Sequence, residues 1–529
     1  MLAKVQSFVL QGIDAVACEV EVHVVDGTFP KERPAAVVVG LPDAAVKESV
    51  DRVHSAIVNS GYAYPISKAV VSLAPADQRK EGPVYDLPIA VGILISQGIA
   101  RSPAEQHNGT RSIGLDHRRF LFAGELALDG RVRPIRGAIA LAALAKQSGM
   151  QGVVLPAENA AEASVVEDIE TIGVRTLAEV VGLLGGHLEP APHPRVDLAA
   201  LIESSPAEVD FGEVRGQEPV KRAMVVAAAG GHNLLMIGPP GTGKTMMAKA
   251  LPGILPTLTT EEALEVTRVY SAVGAAAGPC DARSNGSATG LVTRRPVRSP
   301  HHTASAIAVI GGGMIPRPGE ISLAHRGVLF LDELAEFPRP VLDTLRQPLE
   351  DGRVTIARAH SAVRFPASFM LVAAMNPTPK GQMPGAGEEP ARREMERYLA
   401  RVSGPLIDRI DIHVEVPPVP WKQLRSASGG TCSTDLRARV IEARRRQEGR
   451  QGAVVNARLR GKDLDKLAPL DEECMTVLGQ AMNELGLSAR AYDKVRRVAR
   501  TIADLDGADT IAVGHVSEAI AYRLLDRRN

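Results

Sequence analysis

Lys244 and Thr245 close a run that reads Gly238-Pro239-Pro240-Gly241-Thr242-Gly243. Its glycines let the backbone turn tightly and aim successive N–H groups inward, which makes a cradle for phosphate. The Lys244 amine is placed to reach β- and γ-phosphates, and the Thr245 hydroxyl to hold Mg2+. Such a cradle has to be mounted between a strand and a helix. Residues 234–237 (LLMI) have the composition of a buried parallel strand, and residues 246–251 are helix-compatible. A helix starting near Lys244 adds unpaired N–H groups and a positive dipole end. Pattern and setting together point to a nucleoside triphosphate site.

That chemistry also needs an acid at the carboxyl end of a neighbouring strand. Residues 327–334 (GVLFLDEL) form a second apolar run and end in two acids. Asp332 suits the role of organising Mg2+, and Glu333 that of orienting the attacking water. Two adjacent acids are also an ordinary strand end, so the assignment leans on the loop. Residues 369–374 (FMLVAA) make a third strand, and Asn376 follows it. Its amide is expected to hold the water, although an Asn before a Pro is commonly a turn residue.

Arg409 lies between Asp408 and Asp411 in GPLIDRIDIHVEV. It is either a structural ion pair or an arginine reaching the neighbouring subunit's nucleotide, a contribution of ~10³–10⁵ in rate. Arg490 falls in the first turn of a helix over 487–503, with Ser488 as cap. Cations are not favoured at a helix N-terminus, so Arg490 should have an anionic partner, and the γ-phosphate is the candidate.

The chain has 529 residues, enough for about three domains of ~150 residues each. Apolar residues are 45% and aromatics only 3%, so cores must be built from Val, Ile, Leu and Ala. Formal net charge is zero, which leaves nucleic-acid binding to local patches. Cys18, Cys280, Cys432 and Cys474 are far apart, with no CxxC pair, so neither a disulfide scaffold nor zinc is expected. The N-terminus lacks a signal-peptide pattern and no apolar run is long enough for a bilayer. A soluble cytoplasmic protein is the expectation.

Residues 1–186 read as an α+β domain. Strands are predicted over 20–25, 35–39, 68–73 and 152–155, and helices over 43–59 (capped by Asp43), 87–97 and 137–148. A hairpin is predicted from strands 120–128 and 132–134 about Asp129-Gly130. Residues 187–210 are proline-rich and read as a linker with one short helix. The triphosphate core spans 211–424, with a helix over 221–229, and 425–529 is helical by periodicity, a lid able to close on nucleotide.

Residues 122–156 (FAGELALDGRVRPIRGAIALAALAKQSGMQGVVLP), with the Gly82-Pro83 turn, resemble the proteolytic domain of Lon-type proteases, a ribosomal S5 domain 2-like fold. The resemblance calls for a serine just after Gly-Pro and a lysine early in the following helix. Val84 and Ile139 stand there, and neither can be nucleophile or base. Peptide hydrolysis by that dyad is not expected.

The core motifs together resemble the AAA+ ATPases, within them the magnesium-chelatase-like branch. Residues 294–327 (RRPVRSPHHTASAIAVIGGGMIPRPGEISLAHRG), 346–359 (RQPLEDGRVTIARA), 404–416 and 456–464 (NARLRGKDL) narrow this to the ComM/YifB subfamily, over nearly the whole chain. The resemblance implies an α/β fold: an AAA+ P-loop core with helical lid, preceded by the α+β Lon-like domain. It implies ATP and Mg2+ as cofactors and a hexameric ring. Characterised members are helicases that migrate DNA branches and help integrate single strands in natural transformation. The expected partner is therefore single-stranded or branched DNA, with a magnesium-chelatase-type motor acting on a protein as the alternative. Members usually carry cysteines after Met-Asn-Pro, but here Thr378 and Lys380 follow, so any metal-clip or redox role is lost. The Gly/Pro-rich segment 377–390 reads as a mobile loop.

Residues 351–365 alternate as a hairpin with its tip near Ala359-His360. In related motors such a hairpin points into the ring channel, and Arg353, Arg358 and Arg364 are the candidate phosphate contacts. The bland alternative is a surface hairpin with solvated arginines. Arg294, Arg295 and Arg298 make a second basic patch. His301-His302 read as a loop tied by local hydrogen bonds, Gly311–Gly313 as a flexible insert, and Arg444–Arg446 as a solvated helix face.

Overall fold

The N-terminal residues alternate in burial and fold as β1 (Leu2–Gln11), paired antiparallel along its length with β2 (Asp14–Val25). The coordinates are a computed structural model. It describes residues 2–25, 36–65, 68–100, 114–204, 209–274, 290–313, 316–357, 362–378, 393, 395, 397–398, 400–420, 431–523 and 525. Two compact units result, one of residues 1–201 and 263–292, the other of 202–262 and 293–529.

In the first unit β1 and β2 join β3 (Ala36–Val39), β4 (Lys68–Ala74), β5 (Phe120–Phe122), β8 (Gly152–Pro156) and β9 (Glu170–Val174). The sheet order is β3-β4-β2-β1-β5-β8-β9. Helix Ala44–Asn59 starts where predicted, with Asp43 accepting from the Val46 N–H at 2.7 Å. Helix Asp86–Ser96 is buried along its whole length, as its apolar sequence requires. Burial raises the Asp86 pKa, while Arg52 opposes this through bonds of 2.8 and 3.0 Å.

The predicted hairpin is only partly right. Its turn exists, with β6 (Glu125–Leu126) pairing antiparallel with β7 (Val132–Arg133). Phe120–Phe122, however, is a separate strand running parallel between β1 and β8. The break falls at Gly124, which donates to Val84 O and accepts from Leu87 N–H, both at 3.0 Å. A Cβ there would lie 2.8 Å from a Val132 methyl, so the chain diverts where only glycine fits. Strands β1 and β9 and helices Ala157–Ala163 and Leu177–Gly185 had no assignment from sequence.

Helix Ala138–Gln147 follows Gly137, whose φ is 77°. Ile139 is buried and its N–H donates to Glu162 Oε1 at 3.2 Å. Burial raises the Glu162 pKa, with Ser271 and the Ile139 N–H opposing. The Gly137 N–H goes to Ser271, backbone and hydroxyl, each at 3.1 Å. Residues 263–292, inside the span that sequence gives to the triphosphate core, thus group with the first unit. Val84 sits in the short turn Pro83–Tyr85.

The second unit is built on five parallel strands: β10 (Leu234–Ile237), β11 (Val297–Arg298), β14 (Val328–Leu331), β17 (Met370–Met375) and β18 (Ile412–Glu415). Their order is β11-β14-β17-β10-β18. The acid-bearing β14 is therefore not the neighbour of the loop-bearing β10, as predicted. The Asn376 strand lies between them. Side chains alternate across the sheet, as strand geometry demands. Leu234, Met236, Phe330 and Val372 belong to one core shared with helices Glu218–Gly230 and Lys244–Ala250 and the C-terminal helices, while Leu235, Ile237, Leu331 and Ala373 share a second core with residues 334–345. Both faces are covered, which explains the uninterrupted apolar runs.

Gly311–Gly312 (β12) pairs with Arg317–Pro318 (β13), and Arg353–Ala357 (β15) with Ala362–Pro366 (β16), the predicted hairpin. The tail helices are Ser433–Gln451, Glu472–Glu484, Ala489–Leu505 and Val513–Ala521, among shorter pieces. Residues 379–390, most of the expected mobile loop, lie outside the described residues. Among the described residues, no helix is long and apolar enough to cross a membrane.

Candidate functional site

β10 ends at Ile237 and the chain turns at Gly238 because a side chain has no room there. A Cβ would lie 2.2 Å from Val416 O. Gly241 and Gly243 have φ of 78° and 89°, the left-handed region that glycine enters freely. A Cβ on either would meet no heavy atom within 4 Å, so the loop is open on that side. Thr242 Oγ1 donates to Pro239 O at 3.0 Å and ties the turn.

Lys244, only 7% exposed, donates from Nζ to Gly238 O (2.6 Å), Pro239 O (2.8 Å) and Asn376 Oδ1 (3.3 Å). Burial lowers its pKa, while the charges of Asp332 and Glu333 pull it up. Thr245 Oγ1 donates to Asp332 Oδ2 at 2.7 Å. The loop, the end of β14 and the end of β17 therefore meet at one point, at the carboxyl ends of the parallel strands, where open α/β sheets bind ligands. A hydroxyl beside a carboxylate is a hard-oxygen donor pair, which fits Mg2+.

Glu333 has φ 54° and ψ 47°, a left-handed conformation unusual for a residue with a side chain. Its N–H donates to Asp332 Oδ1 at 3.0 Å. Its Oε2 lies 3.2 Å from Nδ1 of His302. Sequence reasoning tied that histidine into a local loop. Its neighbour does bond locally, His301 Nδ1 to Thr303 Oγ1 at 2.9 Å, but the two rings lie side by side with centroids 4.1 Å apart. Among the described residues, no group of three or more His, Cys, Asp or Glu is placed to hold a metal ion.

Each of the two arginines has a partner within the chain. Arg409 pairs with Glu350 and donates to Pro405 O at 2.6 Å, not to either flanking Asp. Asp408 instead takes Arg490 at 3.0 Å, which gives Arg490 an anionic partner within the chain. Asp411 lies 3.4 Å from His232 Nδ1. Burial alone would push the Asp411 carboxyl up. His232, Lys494 and Arg497 hold it well below the usual carboxylate range. Lys494 donates to the carbonyls of Asp408 and Ile410, and Arg523 to those of Ile410 and Asp411. These bonds fasten the tail helices to the segment before β18, and nothing in the sequence pattern announced them.

Arg353 and Arg364 lie on the exposed face of the β15–β16 ribbon, where Arg364 pairs across from Thr355. Arg358 lies outside the described residues. Two of the three arginines of the second basic patch are engaged within the chain. Arg295 is spent on Pro256 O, Arg326 O and Glu262, and Arg298 on Glu320 at 2.6 and 2.8 Å. Arg444 likewise reaches Ala228 O at 2.8 Å rather than solvent, while Arg445 and Arg446 face Glu442 on the surface.

Sequence models of the magnesium chelatase subunit ChlI match residues 20–159 and 210–424, and a ChlI C-terminal model matches 430–523. The competence protein ComM of Haemophilus influenzae is 42% identical over 528 residues, 99% of this chain and 98% of its own length. An uncharacterised YifB protein of Salmonella typhimurium is 43% identical over 529 residues, with coverage of 99% and 98%. The 38 kDa magnesium-chelatase subunit of Cereibacter sphaeroides is 29% identical over 180 residues, 32% of this chain and 52% of that one. With an open phosphate loop mounted on a five-stranded parallel sheet and full-length likeness to these proteins, the chain belongs to the ComM/YifB subfamily of magnesium-chelatase-like AAA+ proteins.

Proposed function

We propose that the chain is an Mg2+-dependent ATP hydrolase that works as a hexameric ring in the cytoplasm and remodels DNA, driving branch migration in recombination and natural transformation. One observation supports the hydrolase reading above the rest. Lys244, Thr245, Asp332 and Asn376, from three strand ends spread over 132 residues, are joined by side-chain bonds of 2.7 and 3.3 Å. Gly238–Thr245 would wrap the phosphates, with Lys244 leaving the loop carbonyls for the β- and γ-phosphates. Thr245 and Asp332 would hold Mg2+, which when bound supplies charge neutralisation and a template for in-line attack. Glu333 polarises the attacking water and Asn376 holds it against the γ-phosphate.

Arg409, released from Glu350, completes a neighbouring subunit's site. Arg490, released from Asp408, senses the γ-phosphate, so that residues 425–529 swing as a lid against the 211–424 core. Arg353, Arg358 and Arg364 grip the DNA backbone. The 1–186 domain is Lon-like in this reading and does not cut peptides, because Val84 and Ile139 carry no reactive group. The DNA assignment rests on the subfamily resemblance, and the name of the Haemophilus relative, a competence protein, supports it.

A second reading, a motor that remodels a protein partner, draws on the match to magnesium chelatase subunit sequences across three segments. The two separate on the ATP hydrolysis rate with and without single-stranded or forked DNA at low salt. DNA stimulation and salt-sensitive binding are the expected result. Neither appearing would transfer the proposal to a protein substrate, and no hydrolysis at all would end it.

A further inference from the structure

We infer that Glu350 is an inhibitory hold on Arg409, to be released before the arginine can serve a neighbouring nucleotide. This rests on the reading that Arg409 completes a site in the next subunit. Arg409 donates from Nη2 to Glu350 Oε1 and from Nη1 to Pro405 O at 2.6 Å. Its Nε is buried and has no acceptor among the described residues. A guanidinium offers five N–H donors, and a buried donor left without a partner costs free energy. Arg500, in the same unit, is fully engaged: Nε goes to Asp504 and the terminal nitrogens to the carbonyls of Asp509 and Ala508, at 2.6–3.1 Å. Arg409 is under-bonded by comparison, as befits a group whose full set of acceptors lies elsewhere. Glu350 is no better placed as a structural anchor. It stands in the last turn of helix Arg346–Asp351, the end at which the helix dipole disfavours a carboxylate. Its side chain is 52% exposed, so water screens the pair and the arginine is readily traded to a triphosphate.

The two backbones, by contrast, are fixed, and mostly from the tail. Lys494 donates to the carbonyls of Asp408 and Ile410, and Arg523 to those of Ile410 and Asp411. Asn233 Nδ2 takes the Arg409 carbonyl at 2.9 Å. Four successive carbonyls around the arginine therefore each have a side-chain donor. On the other partner, Arg458 donates to Leu349 O and Arg460 to Glu350 O, each at 3.3 Å. Arg409 and Glu350 thus stand on two anchored stretches, and only their side chains are left to move. Breaking the hold takes a change of rotamers and no refolding. A neighbour's phosphate then competes with one carboxylate for one guanidinium, which makes the arginine's availability a matter of populations.

The test is ATP hydrolysis by the full chain at low salt, measured across protein concentration, because a site shared between subunits needs assembly. Glu350→Gln should raise turnover about two- to fivefold at sub-saturating protein, the population shift that a half-exposed ion pair can impose. The denaturant midpoint should stay where it was, and the gain should shrink at high salt, where the pair is already screened. Glu350→Ala should act in the same way and decides the matter if the Gln variant does not fold. In an Arg409→Ala background neither change should alter the residual turnover, because residues acting as a unit are not additive and no arginine is left to release. Turnover at or below wild type in the Glu350 variants overturns the inference, and so does an equal gain in the Arg409→Ala background. Wild-type turnover in Arg409→Ala alone would instead overturn the shared-site reading, and the hold with it.

Discussion

Asp332 and Glu333 stand at the carboxyl ends of the parallel strands, whereas Asp411 sits in the seam where the tail helices meet the segment before β18 and Asp504 lies among the tail helices themselves. The Asp504 carboxylate is saturated. Asp504 is 1% exposed and takes two bonds from Arg450 (2.7 and 2.9 Å), one from Arg500 (3.1 Å) and one from Asn456 (2.8 Å). The strand-end pair is half open, with one hydroxyl and the Glu333 N–H on Asp332, an imidazole 3.2 Å from Glu333 and a left-handed backbone at the latter. Charges that hold a fold together are buried with their full complement of partners, because an unmatched buried charge is costly. Charges kept for a ligand retain unused lone pairs and tolerate strain that the fold must overcome elsewhere.

The contrast breaks most visibly if a strand-end change costs stability or a seam change costs only activity. Glu333→Gln is expected to lower ATP turnover by about 10²–10⁴-fold, the range for losing a general base, and to leave the denaturant midpoint where it was. Glu333→Gly should be equally inactive and no less stable, since glycine relieves the left-handed backbone. Asp504→Ala should do the reverse. It leaves Arg450 and Arg500 without their carboxylate and should cost about 3–5 kcal/mol in chemical denaturation, with nucleotide affinity of the folded fraction retained. An Asp504→Ala protein as stable as wild type would mean that the buried charge network of the tail is ornament.

Asp411 sharpens the comparison through pH. Its folded pKa lies below the unfolded value of ~3.9, so the folded state binds fewer protons and gains stability as pH rises. That stability is complete above the unfolded pKa and drains away as pH falls below about 4. Asp411→Asn should therefore be less stable than wild type at neutral pH and show a flatter acid limb in urea midpoints. An unchanged acid limb would put the acid sensitivity elsewhere. The opposite sign is expected at Glu162, whose pKa burial raises. Glu162→Gln should stabilise the chain increasingly as pH rises past the carboxylate range.

The strand-end cluster was legible in sequence because each part has a residue-type signature next to an apolar run. Glycines and Lys244-Thr245 follow β10, two acids follow β14, and Asn376 follows β17. What the pattern lacked was strand order, since five parallel strands with equally apolar faces give no reason to seat β17 between β10 and β14. The seam was illegible for a different reason. Lys494 and Arg523 end on backbone carbonyls of residues 408–411, and a carbonyl acceptor looks the same in every sequence. Likewise the break at Gly124 comes from crowding by Val132 and Leu87, and the use of His302 from a partner 31 residues away.

The Asp408–Arg490 pair lies at the exposed rim of the seam and should show the smallest effect on stability. Its side chains are 37% and 70% exposed, so water and salt screen the attraction and the long arginine loses rotamers in forming it. Exposed pairs of this kind are worth about 0.2–1 kcal/mol. Asp408→Ala should therefore move the denaturant midpoint by no more than that, less in high salt, whereas Arg490→Ala should slow turnover at equal stability. The asymmetry is the informative part. If Arg490 were held for structure, both variants would lose the same small stability and neither would touch hydrolysis. If Arg490 is held in reserve for phosphate, freeing it by Asp408→Ala should leave ATP binding equal or tighter, a difference that titration of the two variants with nucleotide would read directly.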